Sequence, residues 1–301
     1  MRWSLLFALV GCLPADGRPT PGQLLVEVDR AEDAVGGFTT DDGWTVEFDR
    51  FVTTLGGLGA GESERCVDYS FTGYQRIFDF VVAPRSKLHL HFGLGVCEPR
   101  YRFGPPTESA LLMAGVSEAD RWNMRDPRTT AEEYELDERE GGVGLWVVGR
   151  ATNGELEKRF NWEIRTSGAL IRCFVNEQPV EVHLRGGEEN FLLAEIRPRE
   201  LFRTVPSNDS PIAFDRFARA DASGDGVITL SEVEAVSVDV EPIATALAAE
   251  AGVPKDLVTT ALPDLNLERL VRSVLAPRVI SFQGVDRCGF SNAITVSNPQ
   301  L

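Results

Sequence analysis

Hydrophobic and polar positions alternate along much of the chain between residues 23 and 197, and a period of two is typical of β-strands. The alternation is clearest in residues 87–92 (Lys-Leu-His-Leu-His-Phe), where the apolar side chains predict one face and the two histidines the other. About ten such runs joined mainly by turns predict an antiparallel β-sandwich. The main runs are 24–28, 44–52, 76–82, 87–92, 144–151, 156–164, 170–175, 180–185 and 190–196.

The runs 144–151 and 156–164 flank Asn153-Gly154, which predicts a β-hairpin because both residues tolerate positive φ. In the run 44–52, a strict period of two places Trp44, Val46, Phe48 and Arg50 on one face.

Two stretches interrupt the strand pattern. The glycine-rich run 56–61 lacks the spacing of a dinucleotide-binding turn and a following helix, so we interpret it as a flexible loop. Residues 107–137 are irregular and predict a long excursion with one helical turn near Ser117–Trp122.

Helical spacing of Ala and Leu begins after residues 206–210 (Pro-Ser-Asn-Asp-Ser). Predicted helices cover 212–220, 230–236, 241–251 and 265–275, and 279–282 resembles a return strand. The predicted fold is therefore mainly β with a C-terminal α segment (α+β). The sandwich spans 22–200, a helical segment spans 201–277, and the return strand and tail span 278–301.

Composition narrows the class of partner. The chain has 301 residues, with 30 Lys and Arg against 46 Asp and Glu, so its net charge is −16. Binding of nucleic acid requires an excess of Lys and Arg to neutralise the phosphate groups, and this chain has the opposite excess. Its composition therefore argues against nucleic acid as a partner. It does favour attraction of cations. No run approaches the ~20 apolar residues of a membrane span.

The N-terminus carries one positive charge, Arg2, followed by a short apolar run that ends in Leu9-Val10-Gly11-Cys12. This order is typical of a secretory signal, and the last four residues resemble the lipobox of bacterial lipoproteins. The resemblance implies a signal peptide over 1–11, a lipidated Cys12, and a polar, proline-rich tether over 12–21. The resemblance, with Leu13 after the cysteine, further implies an outer-membrane lipoprotein facing the periplasm or the surface, attached through a lipid anchor alone.

Four further cysteines remain, and an even number in an exported protein predicts two disulfides. Three pairings are possible. We prefer Cys66 with Cys97, which closes a local loop, and Cys173 with Cys288, which ties the C-terminal tail to the middle of the chain.

Residues 221–232 (Asp-Ala-Ser-Gly-Asp-Gly-Val-Ile-Thr-Leu-Ser-Glu) resemble the twelve-residue EF-hand calcium loop. Calcium is a hard cation that takes six to eight oxygen ligands. The resemblance implies ligation by side chains at the first, third, fifth, ninth and twelfth places, by a backbone carbonyl at the seventh, and a sharp turn at Gly226. The implied ligands are Asp221, Ser223, Asp225, Val227, Thr229 and Glu232.

The residues flanking this loop agree with the resemblance. Phe214, Phe217 and Ala218 fall on one face of the incoming helix, and Val233 and Val236 on one face of the outgoing helix. Ser223 removes one possible charge at the third place, and no second loop follows with which the eighth residue, Ile228, could pair. A structural calcium clamp is therefore favoured over a sensor.

An alternative is a periplasmic protein that binds copper or zinc through His89, His91 and His183, if their strands are neighbours. An unrecognised acidic hydrolase site is a third hypothesis, although GxSxG, HExxH and P-loop motifs are missing. We interpret the chain as a non-enzymatic, calcium-binding lipoprotein of the cell envelope. Its partner in the envelope is left open.

Overall fold

The computed structural model describes residues 19–60, 65–69, 74–125, 142–175, 178–262, 264–283 and 287–290. The signal sequence, Cys12 and most of the tether lie outside the described residues. The strands are β1 (Gly22–Arg30), β2 (Phe38–Thr39), β3 (Thr45–Ala60), β4 (Cys66–Asp68), β5 (Arg76–Asp79), β6 (Ser86–Cys97), β7 (Pro99–Phe103), β8 (Leu111–Leu112), β9 (Leu145–Asn153), β10 (Leu156–Ile164), β11 (Gly168–Val175), β12 (Gln178–Pro179), β13 (Val182–Leu184), β14 (Glu189–Ile196), β15 (Val227–Ile228), β16 (Ile280–Phe282) and β17 (Arg287–Phe290). The α-helices are α1 (Asp33–Gly36), α2 (Glu118–Met124), α3 (Asp215–Ala218), α4 (Leu230–Glu234), α5 (Val240–Ala251), α6 (Lys255–Ala261) and α7 (Leu267–Leu270).

The strands form two sheets. The smaller has the order β13-β6-β1-β14-β16, with β4 also paired to β6. The larger has β12-β11-β7-β3-β9-β10-β15 as its main path, with β2, β5, β8 and β17 attached beside it. The predicted hairpin is confirmed as β9–β10, in which Asn153 pairs with Leu156. Gly154, the first loop residue, has φ +60°, a conformation that glycine adopts without strain.

Both sheets contribute to one hydrophobic core. Every second residue of β1 is buried, and these side chains pack in the same cluster as Phe51 of β3 and Trp162 of β10. The architecture is therefore sandwich-like and mainly β, as predicted. The same cluster continues into the C-terminal region through Phe202, Phe214 and Leu270, so the sandwich and the helical segment share a core.

Strand pairing is not antiparallel throughout. β1 lies between an antiparallel neighbour, β6, and a parallel neighbour, β14. β5–β8 and β10–β15 are also parallel. The prediction of an antiparallel sandwich is wrong at these pairs, because the long excursions between the partners let the chain return in the same direction.

Strand β3 differs from its predicted pattern in two ways. Its register against β9 shifts between Phe48 and Arg50, and a bulge of this kind reverses the alternation that follows. Phe51 is consequently buried in the main core, while Arg50 lies outside it beside Trp146. The strand then continues through the glycine-rich residues predicted as a loop and pairs with β7. A Cβ at Gly56 would meet Gln75 Cα at 2.8 Å, so glycine permits this close approach.

The helical segment is built from shorter pieces than the spacing predicts. The first two predicted helices shrink to α3 and α4, of four and five residues. The third is confirmed as α5, which ends at Gly252 with φ +66°. The fourth becomes α7, a π-helical stretch (Val271–Leu275) and a 3₁₀ turn (Ala276–Val279), while α6 is additional.

The predicted helical turn near Ser117 is confirmed as α2, which Ser117 and Asp120 begin with a capping box. The predicted return strand is also confirmed, because β16 adds to the smaller sheet beside β14.

One predicted disulfide, Cys66–Cys97, is present and joins β4 to β6 with a Cα–Cα distance of 4.9 Å. Cys173 is also disulfide-bonded, and the backbone of Cys288 lies opposite it in the β11–β17 register. The Cys173–Cys288 pairing remains a prediction, which the register supports. No helix among the described residues has the length and apolar character of a membrane span.

Candidate metal centre

The predicted calcium loop begins after α3, which Asp42 and Trp44 hold in place. Asp42 Oδ2 accepts hydrogen bonds from the backbone N–H groups of Phe214 and Asp215, both at 2.8 Å. The indole Nε1 of Trp44 donates to Asp215 Oδ1 at 2.7 Å. The start of α3 is therefore capped by the loop before β3 rather than by its own neighbours in sequence.

The apolar residues predicted to share one face on each side of the loop pack into the core, although Phe214 lies just before α3 and Val236 just after α4. Phe214, Phe217 and Val233 are almost completely buried, and Ala218 and Val236 pack against the core. Phe217 and Trp162 have ring centroids 5.3 Å apart. These contacts attach both ends of the loop to the sandwich.

The middle of the loop docks on the edge of the larger sheet. Val227 and Ile228 form β15, which runs parallel to Arg159 and Phe160 of β10. Ile228 is completely buried, and its carbonyl accepts a hydrogen bond from Trp162 Nε1 at 2.9 Å. Strand β10 thus pairs with the eighth residue of the loop, the position that a second EF-hand occupies in the resembled family.

Hydrogen bonds within the loop converge on its first carboxylate. Asp221 Oδ1 accepts from Gly224 N at 2.7 Å and from Ser223 Oγ at 3.1 Å, and Oδ2 accepts from Gly226 N at 3.0 Å. Gly226 has φ +82°, so the sharp turn predicted at the sixth place is present and suits glycine.

The last carboxylate reaches across the loop. Glu232 Oε1 accepts from Ser223 N at 3.3 Å, and Oε2 accepts from Thr229 N and Thr229 Oγ1, both at 3.0 Å. The Thr229 bonds are part of the capping box that begins α4. Hydrogen bonds to the charged form, led by the Thr229 backbone N–H, lower the pKa of Glu232.

Lys158 of β10 is a neighbour of the loop that sequence reasoning missed. Its Nζ lies 2.5 Å from Asp221 Oδ2, and the Asp221 side chain is inaccessible to solvent. This hydrogen bond, together with the backbone donors, lowers the pKa of Asp221 to about 2. The two residues are 63 positions apart, so nothing in the local spacing connects them.

The donor set suits a hard cation, since the six predicted positions offer oxygen atoms alone. The side chains as placed do not form a metal cluster: among the described residues, no three His, Cys, Asp or Glu side chains are arranged to hold an ion. Asp225 Oδ1 instead accepts from Val227 N at 2.8 Å. The long paired helices of an EF-hand are also not seen, since α3 and α4 each make about one turn.

His89 and His91 of β6 do not lie on the face of the strand that the alternation of residues 87–92 predicts. His89 pairs with Val26 and Lys87 with Glu27 across β1–β6, so Leu88 is an extra residue. This bulge turns His89 and His91 inward with the core. The alternation predicts the apolar side chains of this run on one face and the histidines on the other, but the buried face holds both histidines: 7% of His89 and 1% of His91 is exposed, against 41% of Leu90.

The rings of His89 and His91 lie 6.0 Å apart between centroids. His91 Nδ1 lies 3.7 Å from Asp68 Oδ1. Burial, followed by the charges of His91 and Arg76, lowers the pKa of His89 to about 4, so this imidazole is neutral at neutral pH. His183 pairs with Val96 and is exposed, whereas the other two histidines are buried. The strands are neighbours, as the alternative required, but the three imidazoles do not converge.

Comparison with protein-family models, with curated proteins and with solved structures gave no match.

Proposed function

We propose that this protein is an exported, calcium-binding lipoprotein of the bacterial cell envelope. In this proposal the loop 221–232 binds calcium and clamps the helical segment to the sandwich. The ion would be held by the side chains of Asp221, Ser223, Asp225, Thr229 and Glu232 and by the carbonyl of Val227. Bound calcium supplies positive charge that neutralises the carboxylates of the loop.

One observation carries the calcium proposal. Ser223, at the third place, bonds through its hydroxyl to the carboxylate at the first place and through its N–H to the carboxylate at the twelfth. Oxygen atoms from both ends of the twelve-residue pattern therefore lie around one serine. A modest side-chain rearrangement would direct them toward a common ion.

A structural role is favoured over a sensor role by the way the loop is docked. Ile228 is buried against β10, and the two short helices are held by core aromatic residues. Opening of the kind that exposes a groove in calcium sensors needs longer helices that move as a pair. Calcium would instead stabilise one arrangement of the loop on the sheet.

Lys158 is expected to weaken the site. Three loop carboxylates and one ammonium leave a local charge of −3 + 1 = −2. Affinity in this class of site depends on ligand charge, and extracellular sites have dissociation constants on the order of 10⁻⁴ to 10⁻³ M. At about 1 mM calcium such a site would be at least half filled. The Cys66–Cys97 disulfide supports the exported location, because disulfides persist in oxidising compartments.

Replacing Glu232 by Gln tests the calcium assignment. The amide carries no charge and cannot ligate through two carboxylate oxygens, so we expect calcium affinity to fall at least about tenfold. Isothermal titration calorimetry would measure the affinity. Thermal melting in calcium, magnesium or chelator would show a calcium-selective rise for the wild type, since calcium at about ten times its dissociation constant adds roughly 1.4 kcal/mol.

The matched control is Glu163→Gln, which removes an exposed glutamate on β10 outside the loop. It should bind calcium as the wild type does. Equal affinities of the wild type and the Glu232 variant, or a wild type that does not respond to about 10 mM calcium, would exclude this loop as the site.

A further inference from the structure

A pocket of about 580 Å³ lies on the smaller sheet, where β6, β1 and β14 are adjacent. Its volume falls within the ~300–1,000 Å³ typical of small-molecule sites. The calcium loop contributes no residue to its lining. The pocket is therefore a second candidate site, independent of the proposed calcium function.

The floor of this pocket is apolar. Leu25 on β1 lies opposite Leu90 on β6 and opposite Phe191 on β14, so the three side chains form one row across three strands. Leu90 is 41% exposed and Phe191 is 50% exposed. A single exposed leucine is ordinary, but a contiguous apolar row inside a pocket is a surface on which a ligand can lose water.

Two cationic side chains, Arg76 and Lys87, lie at the β6 end of the pocket, where the strand bulges at Leu88. Arg76 Nη1 donates to the Leu88 carbonyl at 2.5 Å, which holds the guanidinium beside the stretch from Lys87 to His89. Arg76, Lys87 and His89 all line the pocket. Within the part of the chain that the structure describes, neither Arg76 nor Lys87 forms an ion pair. Glu27, which lies opposite Lys87, pairs with Arg85. Three cations (Arg76, Lys87 and Arg85) and two carboxylates (Glu27 and Glu189) leave a local charge of 3 − 2 = +1 in a chain of net charge −16, which indicates a place for an anion.

One carboxylate, that of Glu189, also lines the pocket, and its position makes the two ends of the pocket differ in charge. Glu189 lies opposite Gln23, two residues before Leu25 on β1, whereas Lys87 lies opposite Glu27, two residues after it. The acid and the lysine therefore flank the apolar row on opposite sides. An anionic group is repelled at the Glu189 side and attracted at the side of Lys87 and Arg76.

We propose that this pocket binds a small alkyl or aryl carboxylate. The apolar body would lie on Leu25, Leu90 and Phe191, and the carboxylate would contact Arg76 and Lys87. A guanidinium and an ammonium are the donors that pair with carboxylates in proteins. The apolar row supplies affinity through burial, and the cations select the charge of the head group.

Decanoate and decyltrimethylammonium, which share a ten-carbon chain and differ in the charge of the head group, test the proposal. Calorimetric titration of the full chain should show saturable binding of decanoate at one site, at least about fivefold tighter than binding of the cation. Lys87→Gln and Arg76→Gln should each weaken decanoate binding by about two- to fivefold. Phe191→Ser should weaken binding of both compounds.

Three variants serve as controls. Leu156→Ser removes an exposed leucine elsewhere, and Arg185→Gln removes an exposed arginine outside the pocket. Glu232→Gln removes the loop carboxylate, and all three should bind decanoate as the wild type does. Because Arg76 also bonds to a backbone carbonyl, thermal melting checks the fold of its variant, and Lys87→Gln tests the charge by itself.

The proposal is overturned if the two compounds bind equally, if decanoate does not saturate, or if neither cation variant changes its affinity. Equal binding would indicate a nonspecific apolar surface. Failure of decanoate binding leaves the calcium result of the loop unaffected, so the two proposals fail separately.

Discussion

At the scale of single residues, Arg50 and Asp120 show how a bulge creates a polar contact outside the main core. Arg50 Nη1 lies 2.9 Å from Asp120 Oδ1, and its Nε lies 3.1 Å from Asp79 Oδ2. The guanidinium carbon also lies 4.5 Å from the ring centroid of Trp146. This network holds α2 against β3, and it exists because the register shift moved Arg50 off the face of Phe48.

Ionisation of Asp120 should contribute to the pH dependence of the free energy of unfolding. Hydrogen bonding from Arg50 lowers its pKa from 3.8 to about 2. A carboxyl group whose pKa is lower in the folded protein than in the unfolded chain stabilises the fold. This stabilisation is complete above the pKa of the unfolded chain and is lost as the pH falls through the pKa of the folded protein. The loss attributable to this residue should therefore occur between about pH 4 and pH 2, measured by urea unfolding across that range.

Asp120→Asn should lower the free energy of unfolding at pH 7 by about 1 to 2 kcal/mol, since solvent at Arg50 screens part of the pair. The same variant should also lose less of its free energy of unfolding than the wild type does between about pH 4 and pH 2. Asp209→Asn, at an exposed position, serves as the control. If the Asp120 variant has the stability of the wild type at pH 7 and loses as much of it at low pH, the contact with Arg50 contributes nothing.

At the scale of elements, glycines determine where strands can approach one another. A Cβ at Gly144, just before β9, would lie 1.8 Å from the carbonyl oxygen of Thr166. Real Cβ atoms do not come this close to backbone oxygen, so the backbone must move to accept any side chain. Gly36, at the end of α1, has no atom within 4 Å of the corresponding point.

Gly144→Ala should consequently lower the free energy of unfolding by about 2 to 3 kcal/mol. Gly36→Ala should leave it unchanged or raise it by up to about 1 kcal/mol, because alanine reduces the entropy of the unfolded chain. Chemical denaturation of both variants provides the comparison. Similar values for the two would mean that the contact between Gly144 and Thr166 is not a constraint on folding.

The candidate calcium loop is also best understood as an element. Its ends are fixed by buried Phe217 and Val233, its middle pairs with β10, and its first carboxylate is bonded to Lys158. Three attachments to the sandwich explain why so short a helix-loop-helix can hold its shape. If calcium binds here as proposed, the same attachments would make it stabilise the fold rather than move it.

At the scale of the whole molecule, one core joins the sandwich to the C-terminal helices, and residues from β1 to β16 contribute to it. The two segments are therefore not independent units. Strand β16 strengthens this union, because it follows the helices and pairs with β14 in the smaller sheet.

The lipid anchor is a prediction about the whole molecule. If Cys12 carries the lipid, the protein made in a bacterial host should fractionate with membranes and incorporate labelled palmitate. Cys12→Ser should abolish palmitate incorporation, because serine lacks the thiol to which the lipid is attached. Cys173→Ser is the control for loss of a cysteine and should remain labelled. Labelling that persists in the Cys12 variant would contradict the lipobox interpretation.

Several features followed from the sequence by itself. The period of two predicted the strands, Asn153-Gly154 predicted the hairpin, and the helical spacing predicted α5. The preferred pairing of Cys66 with Cys97 is confirmed. These are local signals, in which a few adjacent residues determine backbone conformation or a short loop closure.

Other features were decided by the tertiary structure alone. The bulges in β3 and β6 reversed the faces of Arg50 and of the histidines, because register depends on the partner strand as much as on the strand's own pattern. The parallel pairing of β1 with β14 and the contact of Lys158 with Asp221 join residues far apart in sequence. Spacing along the chain carries no information about such contacts, since the three-dimensional path of the backbone brings these residues together.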